Sequence, residues 1–212
     1  MMHNLSDLKQ DYPEYSLKKF EFILAEIIAH FPNFPELPEL TVIELGPGPN
    51  LNLLRFIRDH SQALSVTGIG LTKASFWQKK RLVEDDLLIL DSFILPALRD
   101  KKPNSVDLII SRHVLEQHSI EAAILLKNPR FRHAIRNNQF GNLPESFPAS
   151  VKNIQVIFGE CYRILKPGGV IITQVAKKKY RVLIQAGLEA FKPAELTFKD
   201  IGKFSEISTF VK

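Results

Sequence analysis

Apolar runs too short for helices alternate along this chain with segments whose apolar residues recur every three or four positions, and few architectures accommodate that alternation. The strand-like runs are "TVIEL", "LSVTGIG", a short stretch near Leu82 and Val83, "SVDLIIS" and "VIITQVA", followed by the closely spaced pair "ELTFKDIG" and "SEISTFVK". Between them, "NLNLLRFIRDH", "KASFWQKKRL", "VKNIQVIFGECYRILK" and "KKKYRVLIQAGLEAF" read as helices. "PGG" is expected to terminate the third of these. A further amphipathic helix is expected at about 16–31, where Leu17, Phe20, Leu24, Ile27, Ile28 and Phe31 share one face and Ser16 is a candidate N-cap. The alternation predicts an α/β fold: a doubly wound, Rossmann-like sheet with helices on both faces, closed by an antiparallel strand.

A chain of 212 residues is expected to form a single domain, 1–212. One segment, at about 127–150, breaks the alternation and reads as an insertion. Between Ala122 and Pro144 there is no acidic residue, while Lys127, Arg130, Arg132 and Arg136 supply four positive charges. No apolar run approaches the ~20 residues of a membrane helix, and the first residues lack the apolar core of a signal peptide, so a cytoplasmic location is expected and no membrane partner. Cys161 is the single cysteine. It reads as a buried core thiol on a helix, and with no second cysteine a cysteine-built metal site is excluded; no metal site is expected.

The turn after the first strand, "ELGPGPN", carries the chemistry. Gly46 and Gly48 lack a Cβ and would let the backbone approach a ligand, and Pro49 suits the first turn of the next helix. The plainer alternative is a tight strand-to-helix turn with no ligand. A dinucleotide fingerprint needs a third glycine where this chain has Leu51. The stretch instead resembles motif I of the class I S-adenosylmethionine-dependent methyltransferases, with Glu44, Gly46 and Gly48 in register and Asn50 in place of the last glycine. Asn tolerates a left-handed backbone better than most residues. The resemblance runs from about residue 41 to the end of the chain. "SVTGIG" is similar to that family's second strand, "LVEDDLL" to its adenine-contacting turn, "SVDLIISRHVLEQHS" to its fourth strand and following helix, and "CYRILKPGGVIITQV" to its fifth strand with the helix before it.

The resemblance implies a seven-stranded sheet of order 3-2-1-4-5-7-6, its last strand antiparallel, and S-adenosylmethionine as cofactor. It implies that the backbone at Gly46, Gly48 and Asn50 meets the methionine end of the cofactor, with Glu44 organising the turn. Asp86, or its neighbour Asp85, would face the adenine amine. Where the family has an acid for the ribose hydroxyls this chain has Gly70, a departure that weighs against tight cofactor binding. Ser111 and Arg112, in the turn after the fourth strand, would face the transferable methyl. His113 is the first candidate for a base or orienting group and His118 the second; a purely structural histidine is the alternative for both.

Arg112, Arg130 and Arg132 are candidates to receive the acceptor, which would be an anionic small molecule or an acidic macromolecule. Phe131 and Phe140 among the arginines give weak support to nucleic acid. The charge run could equally be a solvated face. Two other functions compete. Gly70 followed by Thr72 and Lys73 resembles the NADP form of a dinucleotide site and would make the protein an oxidoreductase. A methyltransferase-like binding module without catalysis is the other.

Overall fold

The computed structural model describes residues 17–34, 39–47, 51–60, 65–69, 88–90, 94–112, 147–175, 193–201 and 206–212. A 3-10 turn, Leu17–Phe20, leads into α1 (Glu21–His30). There follow β1 (Thr41–Leu45), α2 (Asn52–His60), β2 (Ser65–Ile69), β3 (Leu88–Leu90), α3 (Ile94–Arg99), β4 (Val106–Arg112), α4 (Phe147–Ile164), β5 (Leu165–Val175), β6 (Glu195–Asp200) and β7 (Glu206–Val211).

The seven strands form one sheet in the order β3-β2-β1-β4-β5-β7-β6. Strands β1 to β5 are parallel, and β7 runs antiparallel between β5 and β6. This is the expected order. The central strands are apolar on both faces, as a parallel sheet covered by helices requires. On one face Val42, Leu108, Ile110, Val170 and Ile172 pack with the 3-10 turn, α1 and α2. On the other, Ile43, Leu45, Ile109, Ile171 and Phe210 pack with α3 and α4. Cys161 is fully buried in the second layer, and burial pushes its thiol pKa up, which suits a core residue.

Two features fix α1 and the edges. Glu26 of α1 is buried and accepts hydrogen bonds from Lys199 of β6 and, at 3.0 Å, from Thr209 of β7. At the sheet's amino edge, Asp107 accepts from the Thr41 amide and the Lys166 ammonium, both at 2.8 Å.

The structure departs from expectation in four places. The third strand is Leu88–Leu90, later in the chain than Leu82 and Val83, which lie outside the described residues. Residues Ile94–Arg99 form a helix that the sequence pattern did not mark. Helix α4 begins at Phe147, so the last four residues of the expected insertion are helical. The "PGG" of residues 167 to 169 does not terminate that helix, which ends at Ile164; it lies inside β5.

That last departure has a geometric cause. Val106 pairs with Leu165 and Leu108 with Val170, so β5 must absorb three extra residues against β4. Gly168 adopts φ +77°, and a Cβ on Gly169 would meet the Lys166 carbonyl oxygen at 2.9 Å and the Asp107 carbonyl at 3.2 Å. One glycine supplies the backbone conformation and the other the room. Gly169→Ala should therefore cost about 1–3 kcal/mol of stability, as overpacking against immobile backbone does. Urea denaturation would check it; an unchanged midpoint would mean the bulge can shift without cost.

The expected helices over "KASFWQKKRL" and "KKKYRVLIQAGLEAF" lie outside the described residues, as does Ser16. No helix among the described residues is long and apolar enough to cross a membrane.

Candidate functional site at the carboxyl edge of the sheet

Parallel strands deliver their carboxyl ends to one edge, and in a doubly wound sheet the order reverses beside β1. Here β1 has β2 on one side and β4 on the other, so the chain leaves the sheet in opposite directions around the Gly46 turn. Gly46 adopts φ +68° and donates its amide to the Ile69 carbonyl at 2.7 Å. A side chain at this φ would be strained, so the turn favours glycine.

Glu44 lies one pleat before the turn's entry, in register with Gly68 on β2 and Ile110 on β4. It shares the face of Val42 and is 2% exposed. Its Oε2 has no hydrogen-bond partner among the described residues. Burial pushes the Glu44 carboxyl up to about 8, with the Arg112 guanidinium opposing the shift. A cationic donor supplied by a ligand would offset the desolvation that an acid in this condition bears.

Arg112 ends β4 in register with Gln174 on β5. By strand alternation it lies on the same face as Ile110 and Glu44. Its guanidinium carbon sits 4.8 Å from the centroid of the Phe20 ring, which the N-terminal 3-10 turn brings over the edge. Ser111, in register with Leu45 and Thr173, turns to the opposite face and is buried. There Thr173 and Ser208 share a hydrogen bond of 3.1 Å.

Of the residues singled out in the sequence, Glu44, Gly46, Ser111 and Arg112 are thus gathered at one edge, with Ser111 facing away from the other side chains. Gly48, Asn50, Gly70, Asp85, Asp86, His113, His118, Arg130 and Arg132 lie outside the described residues. Asp85 and Asp86 precede β3 in the chain; the acid that follows it in sequence is Asp91.

Sequence reasoning missed Phe20, Gln174 and Glu206 at this edge. Glu206 opens β7 opposite Val175 and is 1% exposed. The antiparallel reading of the last strand carried the signal for it, since the first residue of such a strand lies level with the carboxyl ends of its parallel neighbours. Leu51, where a dinucleotide fingerprint has glycine, is 2% exposed and holds φ +52°.

No protein-family model matches the chain, and no curated protein matches it by sequence. Solved structures do match in fold. A SAM dependent methyltransferase from Aquifex aeolicus aligns over 99% of this chain and 98% of its own, with 15% identity and a TM-score of 0.55. One from Archaeoglobus fulgidus aligns over 95% and 100%, with 10% identity and a TM-score of 0.54. The Burkholderia thailandensis 1,6-didemethyltoxoflavin-N1-methyltransferase, solved with 1,6-didemethyltoxoflavin and S-adenosylhomocysteine bound, aligns over 89% and 75%, with 11% identity and a TM-score of 0.52. Other matching chains are longer: this chain spans 63% of one from Bordetella parapertussis and 47% of one from Galdieria sulphuraria. At these identities the likeness concerns the fold, and the fold is that of the class I S-adenosylmethionine-dependent methyltransferases.

Proposed function

We propose that the protein transfers a methyl group from S-adenosylmethionine to an anionic acceptor. The observation that carries this reading is the conjunction of the buried Glu44 carboxyl, whose Oε2 has no partner among the described residues, with the left-handed Gly46 turn at the sheet's topological switch point. Both features fit the methionine end of the cofactor. The glycine leaves the turn's backbone open to close approach, and the Glu44 carboxylate can accept from an ammonium.

When bound, S-adenosylmethionine supplies a methyl group that its sulfonium already makes electrophilic. The protein's task is then chiefly to hold the reacting groups in line. The Gly46 turn and Glu44 would bind and orient the donor end. The carboxyl end of β4, at Ser111 and Arg112, adjoins the turn through the Leu45–Ser111 register. His113 follows directly in sequence and is the proposed base for an acceptor that must lose a proton, with His118 as the second choice. An anionic acceptor is supported by the acid-free run containing Arg130 and Arg132.

The oxidoreductase reading is weakened by Leu51. A packed leucine side chain stands where a dinucleotide turn keeps glycine for close packing of helix on strand. Isothermal calorimetry with S-adenosylhomocysteine and, separately, NADPH tests the proposal. Binding of the first without the second is expected. NADPH binding with no response to S-adenosylhomocysteine at millimolar concentration would overturn it.

A further inference from the structure

Glu44 and Arg112, an acid and a guanidinium, lie on one face of adjacent strands, yet no direct ion pair or hydrogen bond joins them. Each is otherwise available to a ligand. Glu44 Oε2 lacks a partner among the described residues, and among them the Arg112 guanidinium is held only by the face of Phe20. That contact engages the guanidinium as a cation over the ring and is not a hydrogen bond to a specific acceptor. The β1–β4 ladder ends at the Leu45–Ser111 pair, and Gly46 and Arg112 are the next residues along the chain from each.

An acid and a guanidinium separated in this way, flanking an open backbone turn, match a ligand that carries an ammonium and a carboxylate on neighbouring atoms. An α-amino acid is such a ligand. Its ammonium would satisfy Glu44, and its carboxylate would receive two N–H donors from Arg112. Two sources offer this chemistry at a methyl-transfer site: the amino-acid end of the cofactor, and a free amino acid as acceptor. The site adjoins the Gly46 turn, which favours the cofactor.

We propose that Arg112 binds the carboxylate of the cofactor's amino-acid end opposite Glu44, and that Phe20 of the N-terminal 3-10 turn is the positioning residue that holds its guanidinium there. This rests on the methyltransferase reading above. It moves Arg112 from the acceptor to the cofactor and makes the N-terminal turn part of the cofactor site. Glu26, clamped to β6 and β7, fixes the helix that follows Phe20 and so the ring itself.

The test compares three ligands by calorimetry: S-adenosylhomocysteine, its decarboxylated analogue, and 5′-methylthioadenosine, which lacks the whole amino-acid end. Wild-type protein should bind the decarboxylated analogue at least about 10- to 100-fold more weakly than S-adenosylhomocysteine, the range for losing one hydrogen bond to a charged group. Arg112→Met should weaken S-adenosylhomocysteine by a similar factor and leave 5′-methylthioadenosine within about twofold. Phe20→Leu should weaken S-adenosylhomocysteine less, and again spare 5′-methylthioadenosine, a split that mere loss of packing would not produce.

Equal binding of S-adenosylhomocysteine and its decarboxylated analogue by the wild type would overturn the inference even if Arg112→Met failed to fold. So would an Arg112→Met protein that binds S-adenosylhomocysteine normally, or one that loses all three ligands alike. Tight binding of a free amino acid, abolished by Arg112→Met while S-adenosylhomocysteine is unaffected, would assign the pair to the acceptor and overturn it too. If the wild type binds none of the three, the methyltransferase reading itself fails, and this inference with it.

Discussion

Glu44→Gln should be more stable than the wild type at pH 8 and should lack the loss of stability that Glu44 contributes between about pH 5 and 8. The Glu44 carboxyl titrates at about 8 in the folded protein against 4.5 as its ordinary value, because burial disfavours the charged form more than Arg112 favours it. In that interval the folded protein keeps the proton and the unfolded chain has released it, so rising pH favours unfolding. The contribution is fully present below pH 4.5 and is lost as pH rises to about 8.

The slope is at most about 1.4 kcal/mol per pH unit. Glutamine has the same shape and cannot ionise, so it escapes this loss while keeping the same buried polar atoms. Thermal unfolding at pH 5, 6.5 and 8 measures the difference directly, and parallel Tm curves for the two proteins would refute the argument. A ligand ammonium at Glu44 should pull its proton off, so the heat of S-adenosylhomocysteine binding near pH 7 should vary with the buffer's ionisation enthalpy in the wild type and far less in Glu44→Gln.

The second large effect belongs to the opposite face. Phe158 of α4 is fully buried and packs its ring at 56° against Phe210 of β7, with centroids 5.5 Å apart. Phe158→Ala should cost about 3–5 kcal/mol, the range for emptying an aromatic site in a close-packed core. That is a large part of the ~5–15 kcal/mol that holds a typical domain together. Phe158→Leu should cost clearly less, because it leaves a smaller cavity. Guanidinium denaturation gives both values. Since Phe158 lies across the sheet from Glu44 and Arg112, the folded fraction should bind S-adenosylhomocysteine unchanged.

The alternation of strands and helices was legible because each central strand is a β-branched run bounded by turn residues. The strand order came from the resemblance of "ELGPGPN" and "LKPGG" to one family, which periodicity alone could not supply. The third strand was misplaced for a plain reason. "LIL" at 88 to 90 is three residues long, and such a run has no period to distinguish it from "LV" at 82 and 83. The "PGG" stretch misled because a left-handed glycine is what a helix end and a strand bulge both demand. Only the register between β4 and β5 separates the two.

At the site, Glu44 and Gly46 were visible as a motif. The unsatisfied Oε2 was not, because burial depends on the layers that close over β1. Arg112 was visible as the residue ending a strand. That its guanidinium lies on Phe20 was not, because the two are distant in the chain and meet only through the fold.

The Glu26 clamp sets an order in time. Glu26 joins Lys199 and Thr209 across sequence separations of 173 and 183 residues, so α1, made early, meets its polar partners only when the final strands have emerged. Contacts of such long range close slowly, since the intervening chain must be ordered first. During synthesis α1 and the Phe20 turn can already pack on β1, β4 and β5, but they lack this polar clamp until the last two strands are made. β7 lies between β5 and β6 in the finished sheet, so a chain stalled before residue 206 would have the glycine turn but neither the strand that β6 pairs with nor the Thr209 bond to Glu26.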